Sequence, residues 1–370
     1  MVSVAVSWDL YVATRSAAVL GNVGFVQVGP FLIFALAAGH IADRYERRRI
    51  LVLTQLLLLA ATVLYVISSR SVLLIYMGLF LTATARAFQG PARLAILPHV
   101  VPAETLRNAI TWSSSAHEIA NVSGPAVAGI LLATAGSRTV YVIQLVCATL
   151  TTACFYRLRF RSSAAREPQV LSRQALLEGV RFVSHHNLIL PAISLDLFGV
   201  LFGGATALLP IFAVEILHTG VQGLGWLRAA PSIGAISMAL ALNHLPKIER
   251  AGAALLWAVV GFGLSTMVFG LSHWLWLSIV ALILTGAMDN ISVVLRNSLV
   301  QTQTPDRLRG RVLAVNNIFI SSSNQLGAVE SGWTAAWFGA VPSVVGGGLA
   351  TIAIAATFAW RSVALRKWMQ

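Results

Sequence analysis

Long apolar runs separated by short polar or charged stretches occupy almost the whole chain. Each main run is close to the ~20 residues that an α-helix needs to cross a bilayer. Within lipid, only a backbone whose hydrogen bonds are satisfied internally is tolerated, so these runs form helices. A shorter run opens the chain at residues 1–12. The pattern predicts an all-α membrane protein with one partial span and about 11 full spans, centred near residues 28, 59, 80, 122, 146, 203, 234, 261, 284, 325 and 352.

Composition and charge favour the same class of protein. The 370 residues are 57% hydrophobic and 11% charged, with a mean hydropathy of +0.78, and a soluble protein needs more charge to cover its surface. When alternate loops are assigned to opposite faces, 20 of the 26 basic residues fall on one face. Basic loops stay in the cytoplasm. The net charge of +13 therefore reflects topology in a bacterial-type inner membrane, with the linker and C-terminus cytoplasmic, and predicts no nucleic-acid partner.

The two halves of the chain share one design. A shift of 203 residues aligns Asn121 with Asn324 and Gly124 with Gly327. Repeats of six spans in the same orientation indicate two bundles related by an axis along the membrane normal. The expected organisation is an N-terminal bundle (1–156), a cytoplasmic linker (157–187), a C-terminal bundle (188–364) and a cytoplasmic tail (365–370).

The sequence also predicts an incomplete first helix and a surface helix in the linker. The run at residues 1–12 is too short to cross the membrane, which favours a first helix that lacks its first half through a late start codon or a fragment. A naturally short helix is the alternative. In the linker, the stretch from Gln174 to Ser184 is expected to form an amphipathic surface helix.

A charged island separates the apolar runs at residues 17–38 and 50–68. It reads Gly39-His40-Ile41-Ala42-Asp43-Arg44-Tyr45-Glu46-Arg47-Arg48-Arg49. This sequence resembles the loop signature of the major facilitator superfamily, G-x-L-A-D-R-x-G-R-R/K, with Glu46 in place of the second glycine. The wider stretches 42–47 and 301–305 are similar to the enterobactin exporter branch of that superfamily.

Two further stretches carry the same resemblance. Arg86-Ala87-Phe88-Gln89-Gly90 matches the R-x-x-Q-G pattern of the fourth span. Asn121-Val122-Ser123-Gly124-Pro125 followed by Gly129 resembles the G-x-x-x-G-P-x-x-G-G pattern of exporters, although Ala120 and Ala128 replace two glycines. The resemblance implies two six-helix bundles, alternating access, and a helix bend at Pro125 that is associated with antiport. A tight-packing helix face is the alternative interpretation of these small residues.

The charged island has a separate expected role. Asp43 lies at the C-terminal end of a helix, where the helix dipole disfavours a carboxylate, and Arg47 at i+4 can compensate it. The resemblance implies a latch that closes the cytoplasmic side and contains Gly39, Asp43, Arg44, Arg47 and Arg48. A cluster that only sets topology explains the arginines but neither Gly39 nor Asp43.

Ionisable and polar groups inside spans are candidates for proton or substrate coupling, because each is costly in lipid unless it is paired or hydrated. Glu118 is the first candidate for a protonated carboxylate, with Arg86 as its partner, while Arg228 and Arg296 are expected to be interfacial or to form interhelical salt bridges. The full set of coupling candidates is Arg86, Gln89, Gly90, Glu118, Asp196 and Asp289.

The remaining motifs exclude other classes of function. The chain carries no phosphate loop, hydrolase elbow or dinucleotide fingerprint, and His185-His186 lacks the ligand spacing of a metal site. We therefore expect a monomeric secondary transporter without cofactor or metal, not an enzyme, whose partners are a small-molecule substrate, protons and the lipid bilayer. Export by proton antiport is the favoured mechanism. A uniporter or importer of the same fold and a non-transporting sensor or scaffold are the alternatives, and the substrate stays open.

Overall fold

The protein is helical throughout the part that the structure describes. The computed structural model describes residues 1–68, 71–157, 173–244 and 248–369, and these ranges contain no strand. The main helices are α1 (Val2–Thr14), α2 (Ala17–Arg44), α3 (Arg47–Ile67), α4 (Val72–Val100), α5 (Leu106–Arg157), α6 (Arg173–His185), α7 (Ile189–Gly203), α8 (Leu209–Ile211), α9 (Gly220–Leu242), α10 (Ala251–Leu271), α11 (Leu275–Gln303), α12 (Asp306–Phe338), α13 (Ala340–Arg361) and α14 (Val363–Arg366).

The predicted all-α membrane fold is confirmed, and the spans agree closely with the apolar runs. Nine helical segments of the described residues are long and apolar enough to cross a membrane. One of them, α5, contains two of the predicted spans. They are separated at Gly136, where the backbone leaves helical geometry with a φ of +77°. Another predicted span is α12, whose 33 residues are long enough but more polar. The short first helix, α1, has 13 residues.

The chain divides into two compact units. Unit 1 contains Met1–Thr14 and Phe25–Arg173, and unit 2 contains Arg15–Gly24 and Gln174–Gln370. In unit 1, α3 packs against α4 and α5, and α1 packs against α5. The interior of this unit includes the nearly inaccessible side chains of Leu10, Tyr11 and Tyr141.

Unit 2 is built around two close helix pairs. The helix pairs α9–α11 and α10–α13 make its most extensive contacts, and α7 packs against α12 and α13. A Cβ atom added at Gly234 would meet the carbonyl of Ile283, and one added at Gly286 would meet the backbone of Pro231. Glycine at these two positions therefore lets the backbones of α9 and α11 touch, as small residues commonly do in membrane proteins.

The amphipathic linker helix α6 belongs to unit 2. Val183 on its apolar face is buried with Leu308 and Val312 of α12. Glu178 forms an ion pair with Arg311, and Gly179 approaches the backbone of that arginine. The helix predicted from Gln174 to Ser184 is thus present and is fastened to α12 by apolar contacts and one exposed ion pair.

Exposed tryptophan side chains lie at the ends of several long helices. Trp274 and Trp276 at the start of α11, Trp337 at the end of α12 and Trp360 at the end of α13 are all strongly exposed. Tryptophan at helix ends is typical of the two membrane–water interfaces, where the ring meets the acyl boundary and its N–H meets water. Their exposure therefore fits a membrane protein and needs no soluble partner.

Candidate functional site

A charged cluster inside unit 2 joins α7 to α11. Asp196 of α7 and Arg296 of α11 form an ion pair, and their side chains are only 7% and 1% exposed. The hydroxyl of Ser292 donates to Oδ1 of Asp196 at 3.4 Å. A buried charge is tolerated when it is paired and hydrogen-bonded. The interhelical salt bridge expected for Arg296 is therefore present, although it lies within the bundle and not at a membrane interface.

The register of α11 brings a second carboxylate to the same place. Asp289, Ser292 and Arg296 are three and four residues apart, so they share one face of the helix. Asp289 interacts electrostatically with both Asp196 and Arg296. The cluster thus contains two carboxylates and one guanidinium. With all three groups ionised it carries one uncompensated negative charge in a medium of low dielectric constant, which binding of one proton would remove.

A cavity of about 220 Å³ opens beside this cluster. Its volume is below the ~300–1,000 Å³ of pockets for drug-sized ligands, so it accommodates a small molecule or one part of a larger one. The walls are apolar on one side and polar on the other. The lining residues that bear on function are Asp196, Asp289, Arg296, Thr266, Thr285 and Asn324, with Phe262, Leu282, Val293 and Ile320 supplying apolar surface.

The cavity exists because α7 ends in the middle of its span. The helix stops at Gly203, and the chain continues through a 3₁₀ turn, the short helix α8 and a π-helical turn that ends at Ile216. The carbonyl of Gly204, freed by this break, accepts a hydrogen bond from the hydroxyl of Ser331 at 3.0 Å. Irregular backbone at membrane depth is stable where other protein groups satisfy it, and such breaks line the binding sites of many transporters.

Unit 1 contains a second polar group that sequence reasoning did not select. The hydroxyl of Tyr141 donates to Oδ2 of Asp9 at 2.9 Å, and its ring stacks on Tyr65 with centroids 5.5 Å apart. The Tyr65 hydroxyl lies 3.1 Å from that of Thr82. A cavity of about 380 Å³ reaches Asp9 past Arg138. The sequence feature that could have identified this group is Asp9, a single carboxylate in the apolar run at residues 1–12.

The candidates on α4 occupy two different environments. The side chain of Arg86 is exposed, and Gly90 has open space around it. The amide of Gln89 donates to the side-chain oxygen of Gln55 at 3.0 Å, which places Gln89 in the contact between α4 and α3. The side chain of Glu118 lies outside the described residues, so its contact with Arg86 stays a prediction.

Of the expected latch, the structure describes the side chain of Arg48. Its guanidinium donates to the carbonyl of Tyr156 and lies 5.3 Å from the centroid of that ring, so Arg48 joins α3 to the end of α5. The backbone is helical up to Arg44 and again from Arg47. The side chains of Asp43, Arg44 and Arg47 and the surroundings of Gly39 lie outside the described part, so the latch stays a prediction.

The expected bend motif lies on α5. Asn121 is exposed, Gly124 and Pro125 are partly buried, and Gly129 is buried. Pro125 lies inside the helix, and the departure from helical geometry occurs further along, at Gly136. A bend at Pro125 with a role in antiport therefore stays a prediction.

Arg228 differs from the expectation of an interhelical salt bridge. It lies in α9, its side chain is partly buried, and no described carboxylate forms an ion pair with it. Its Nε atom is inaccessible and donates no hydrogen bond in the described structure. The expectation for Arg228 was an interfacial position or an interhelical salt bridge, and the described residues provide no salt bridge for it, whereas Asp196 and Asp289 group around Arg296 on α11.

Comparison with known sequences identifies the family. The model of the transmembrane secretion effector family, a branch of the major facilitator superfamily, matches residues 1–370. The chain belongs to this family. Among its relatives are the enterobactin exporter EntS of Escherichia coli O1:K1, 26% identical over 381 residues that cover 100% of this chain and 89% of the relative, and EntS of Shigella boydii serotype 4, 26% identical over 380 residues with the same coverage. The protein is thus a multi-pass membrane transporter and not an enzyme.

Solved structures show the same fold. A bacterial homologue of the human lysosomal transporter Spinster superposes with a TM-score of 0.76 at 16% identity, covering 99% of this chain and 96% of that one. A POT family transporter superposes with a TM-score of 0.71 at 11% identity, covering 99% and 96%. At such identities the likeness establishes the major facilitator fold alone.

Proposed function

We propose that this protein exports a small molecule across the inner membrane in exchange for protons, by alternating access of its two bundles. The proposal has three supports. The chain belongs to a family of secretion effectors, its relatives include enterobactin exporters that match over its whole length, and its basic loops predict a cytoplasmic linker and C-terminus. A monomer contains both bundles and is the proposed working unit.

The observation that carries proton coupling is the charge imbalance of the cluster in unit 2. Asp196 is already paired with Arg296, so we assign proton uptake to Asp289, which has no ion-pair partner among the described residues. Protonation makes the cluster neutral, and loss of the proton restores a negative charge at the wall of the cavity. Because Asp289 lines the cavity, a bound substrate changes its environment directly. Substrate and proton therefore influence each other at one site, which is the requirement for exchange.

Ser292 and Arg296 have supporting roles in this scheme. The hydroxyl of Ser292 donates to Oδ1 of Asp196, and the guanidinium of Arg296 pairs with the same oxygen. These two contacts hold Asp196 in place, and we assign the change of charge to Asp289. Glu118 is the alternative proton carrier that the sequence suggests for the N-terminal bundle.

Transport in inside-out vesicles tests this function. Vesicles that contain the protein are loaded by an imposed pH gradient, acidic inside, with enterobactin as the first probe because relatives are named for it. We expect accumulation that requires the gradient and collapses with a protonophore. Asp289→Asn should bind substrate but lose the dependence on the gradient, whereas Glu249→Gln, at a residue preceding α10, should behave as wild type. Wild-type pH dependence in Asp289→Asn would exclude Asp289 as the carrier.

A further inference from the structure

We infer that Arg228 is an anion-recognition group, and that the transported substrate carries at least one negative charge near an apolar body. This inference rests on the proposed transport function and deepens it by naming the substrate class. Arg228 and Arg296 are basic residues of unit 2 that lie away from the helix ends, and of the two only Arg296 has an ion-pair partner among the described residues.

Arg296 lines the cavity but is already engaged by a carboxylate. It is ion-paired with Asp196 and almost inaccessible, and the cluster around it has more carboxylates than guanidinium groups. An anion in the cavity would meet Asp196 and Asp289 at the same wall as Arg296. The negative charge of the cluster therefore repels anions and leaves Arg228 as the cation that can receive one.

Arg228 lies two turns inside its helix and is partly buried. It lies eight residues after the start of α9 at Gly220, about 12 Å along the helix axis. Its Nε atom is inaccessible and has no hydrogen-bond acceptor among the described residues. An arginine in a span is costly unless it is paired, hydrated or used for a ligand, and no carboxylate of the described residues forms an ion pair with Arg228.

The register of α9 relates Arg228 to the cavity. Arg228 and Pro231 are three residues apart and therefore lie on one face of the helix. Pro231 lines the cavity beside Asp289 and Arg296. Arg228 thus lies one turn from the cavity wall on the same face. A ligand whose apolar part contacts Phe262 and Leu282 in the cavity can place an anionic group against Arg228.

The chemistry of the guanidinium defines the class of anion. Arginine presents a planar fork of N–H donors that matches two oxygens of a carboxylate or phosphate, and such charge-assisted pairs are about twice as strong as neutral hydrogen bonds. The apolar lining of the cavity favours an aromatic or aliphatic body over a sugar. The predicted substrate class is therefore an amphiphilic organic anion.

Binding of a matched pair of probes to the purified full-length protein tests the inference. The probes are 2-naphthoate and 2-naphthamide, which have the same rings and differ in charge. Equilibrium dialysis in detergent should show wild-type protein binding naphthoate at least about 10-fold more tightly than naphthamide, the ratio that one charge-assisted pair supplies. Arg228→Gln should reduce this ratio to near one, Arg228→Lys should retain part of it, and Arg361→Gln, at the exposed end of α13, should leave it unchanged.

The opposite results are equally informative. A wild-type protein without preference for naphthoate, or an Arg228→Gln variant that keeps the preference, overturns the inference. If Arg228→Gln does not fold, thermal unfolding of wild type decides, because naphthoate should raise the midpoint and naphthamide should not, and equal shifts overturn the inference. These measurements need no pH gradient, so they can succeed where proton-coupled export fails, and the reverse also holds.

Discussion

Arg296 of α11 and Asp196 of α7 form an ion pair inside the C-terminal half of the protein, and Asp289 interacts with both partners without a cation of its own. A buried pair of this kind is expensive to break, because the remaining partner keeps its charge without compensation. The pair therefore fixes the relative position of the two helices, and Asp289 is the group to which we assign the change of charge. Both properties can be measured separately.

The ion pair itself predicts a non-additive pattern of stability. Arg296→Gln leaves Asp196 uncompensated beside Asp289 and should destabilise the protein by about 3–5 kcal/mol. The double variant Asp196→Asn/Arg296→Gln removes both charges and should recover most of this loss. Unfolding titrations in mixed micelles measure both values. If the double variant loses as much unfolding free energy as Asp196→Asn and Arg296→Gln lose together, the two residues are not energetically coupled.

The polar group of unit 1 predicts which of two tyrosine substitutions destabilises the protein more. Tyr141→Phe removes the donor to the buried carboxylate of Asp9 and should cost about 1.5–3 kcal/mol, as hydrogen bonds to charged groups do. Tyr65→Phe removes a hydroxyl pair with Thr82 and should cost about 0.5–1.5 kcal/mol. Both rings are retained, so packing is matched. Equal or reversed losses would mean that Asp9 does not depend on Tyr141.

Alanine substitutions at two glycines of the C-terminal half are predicted to change the stability in opposite directions. Gly286→Ala places a methyl group against the backbone of Pro231, so α9 and α11 must separate and the thermal midpoint should fall. Gly346→Ala, in α13, adds a methyl group where nothing lies within 4 Å and should stabilise by about 0.5–1 kcal/mol through the unfolded chain. Thermal unfolding of the two variants in the same detergent checks the pair. Equal effects would argue against a close contact at Gly286.

The junction between α6 and α7 predicts a dependence on pH. Nδ1 of His186 accepts hydrogen bonds from the backbone N–H groups of Leu188 and Ile189, both at 3.3 Å, which requires the neutral ring. Burial lowers the pKa of His186 below its usual 6.5. The stabilisation is therefore present above pH 6.5 and is lost as the pH falls through the lower folded-state pKa.

Hydrogen exchange of the amides at the start of α7 measures this effect. Protection should decrease between neutral and mildly acidic pH after correction for the intrinsic rate. His186→Asn, which keeps a side-chain acceptor without titrating, should reduce the pH dependence. Unchanged protection across this range in wild type would exclude the histidine as the helix cap.

The docking of α6 predicts that apolar contacts matter more than charge. Val183→Asp places a carboxylate among Leu308 and Val312, so α6 should detach and become accessible to trypsin at Arg181. Glu178→Gln removes one partner of an exposed ion pair, which is worth at most about 1 kcal/mol, and should leave the digestion pattern nearly unchanged. Rapid digestion of Glu178→Gln would mean that the ion pair holds the helix.

The sequence predicted the fold well because its information is local. Apolar length and the distribution of arginines along the chain define spans without any knowledge of tertiary contacts. The site was predicted in part. Asp196 and Asp289 stood out as carboxylates inside spans, but their grouping around Arg296 depends on how α7 faces α11, which periodicity in one helix does not determine. Asp9 was missed because its run was treated as an incomplete helix. For Arg228 the sequence left an interfacial position and a salt bridge open, because the spacing of residues in one helix does not show which groups face it from the next.

The close contact of α9 with α11 has a consequence for selectivity. Gly286 touches Pro231 at a point one turn from Arg228 on one helix and one turn from Asp289 on the other. Backbones in contact cannot slide or spread without losing that contact, so the backbone positions of Arg228 and Asp289 keep a constant spacing. On the inference that Arg228 receives the anionic group of the substrate, this constant spacing would select compounds by the length that separates their anionic end from the group that meets Asp289, more than by the chemical identity of the segment between them.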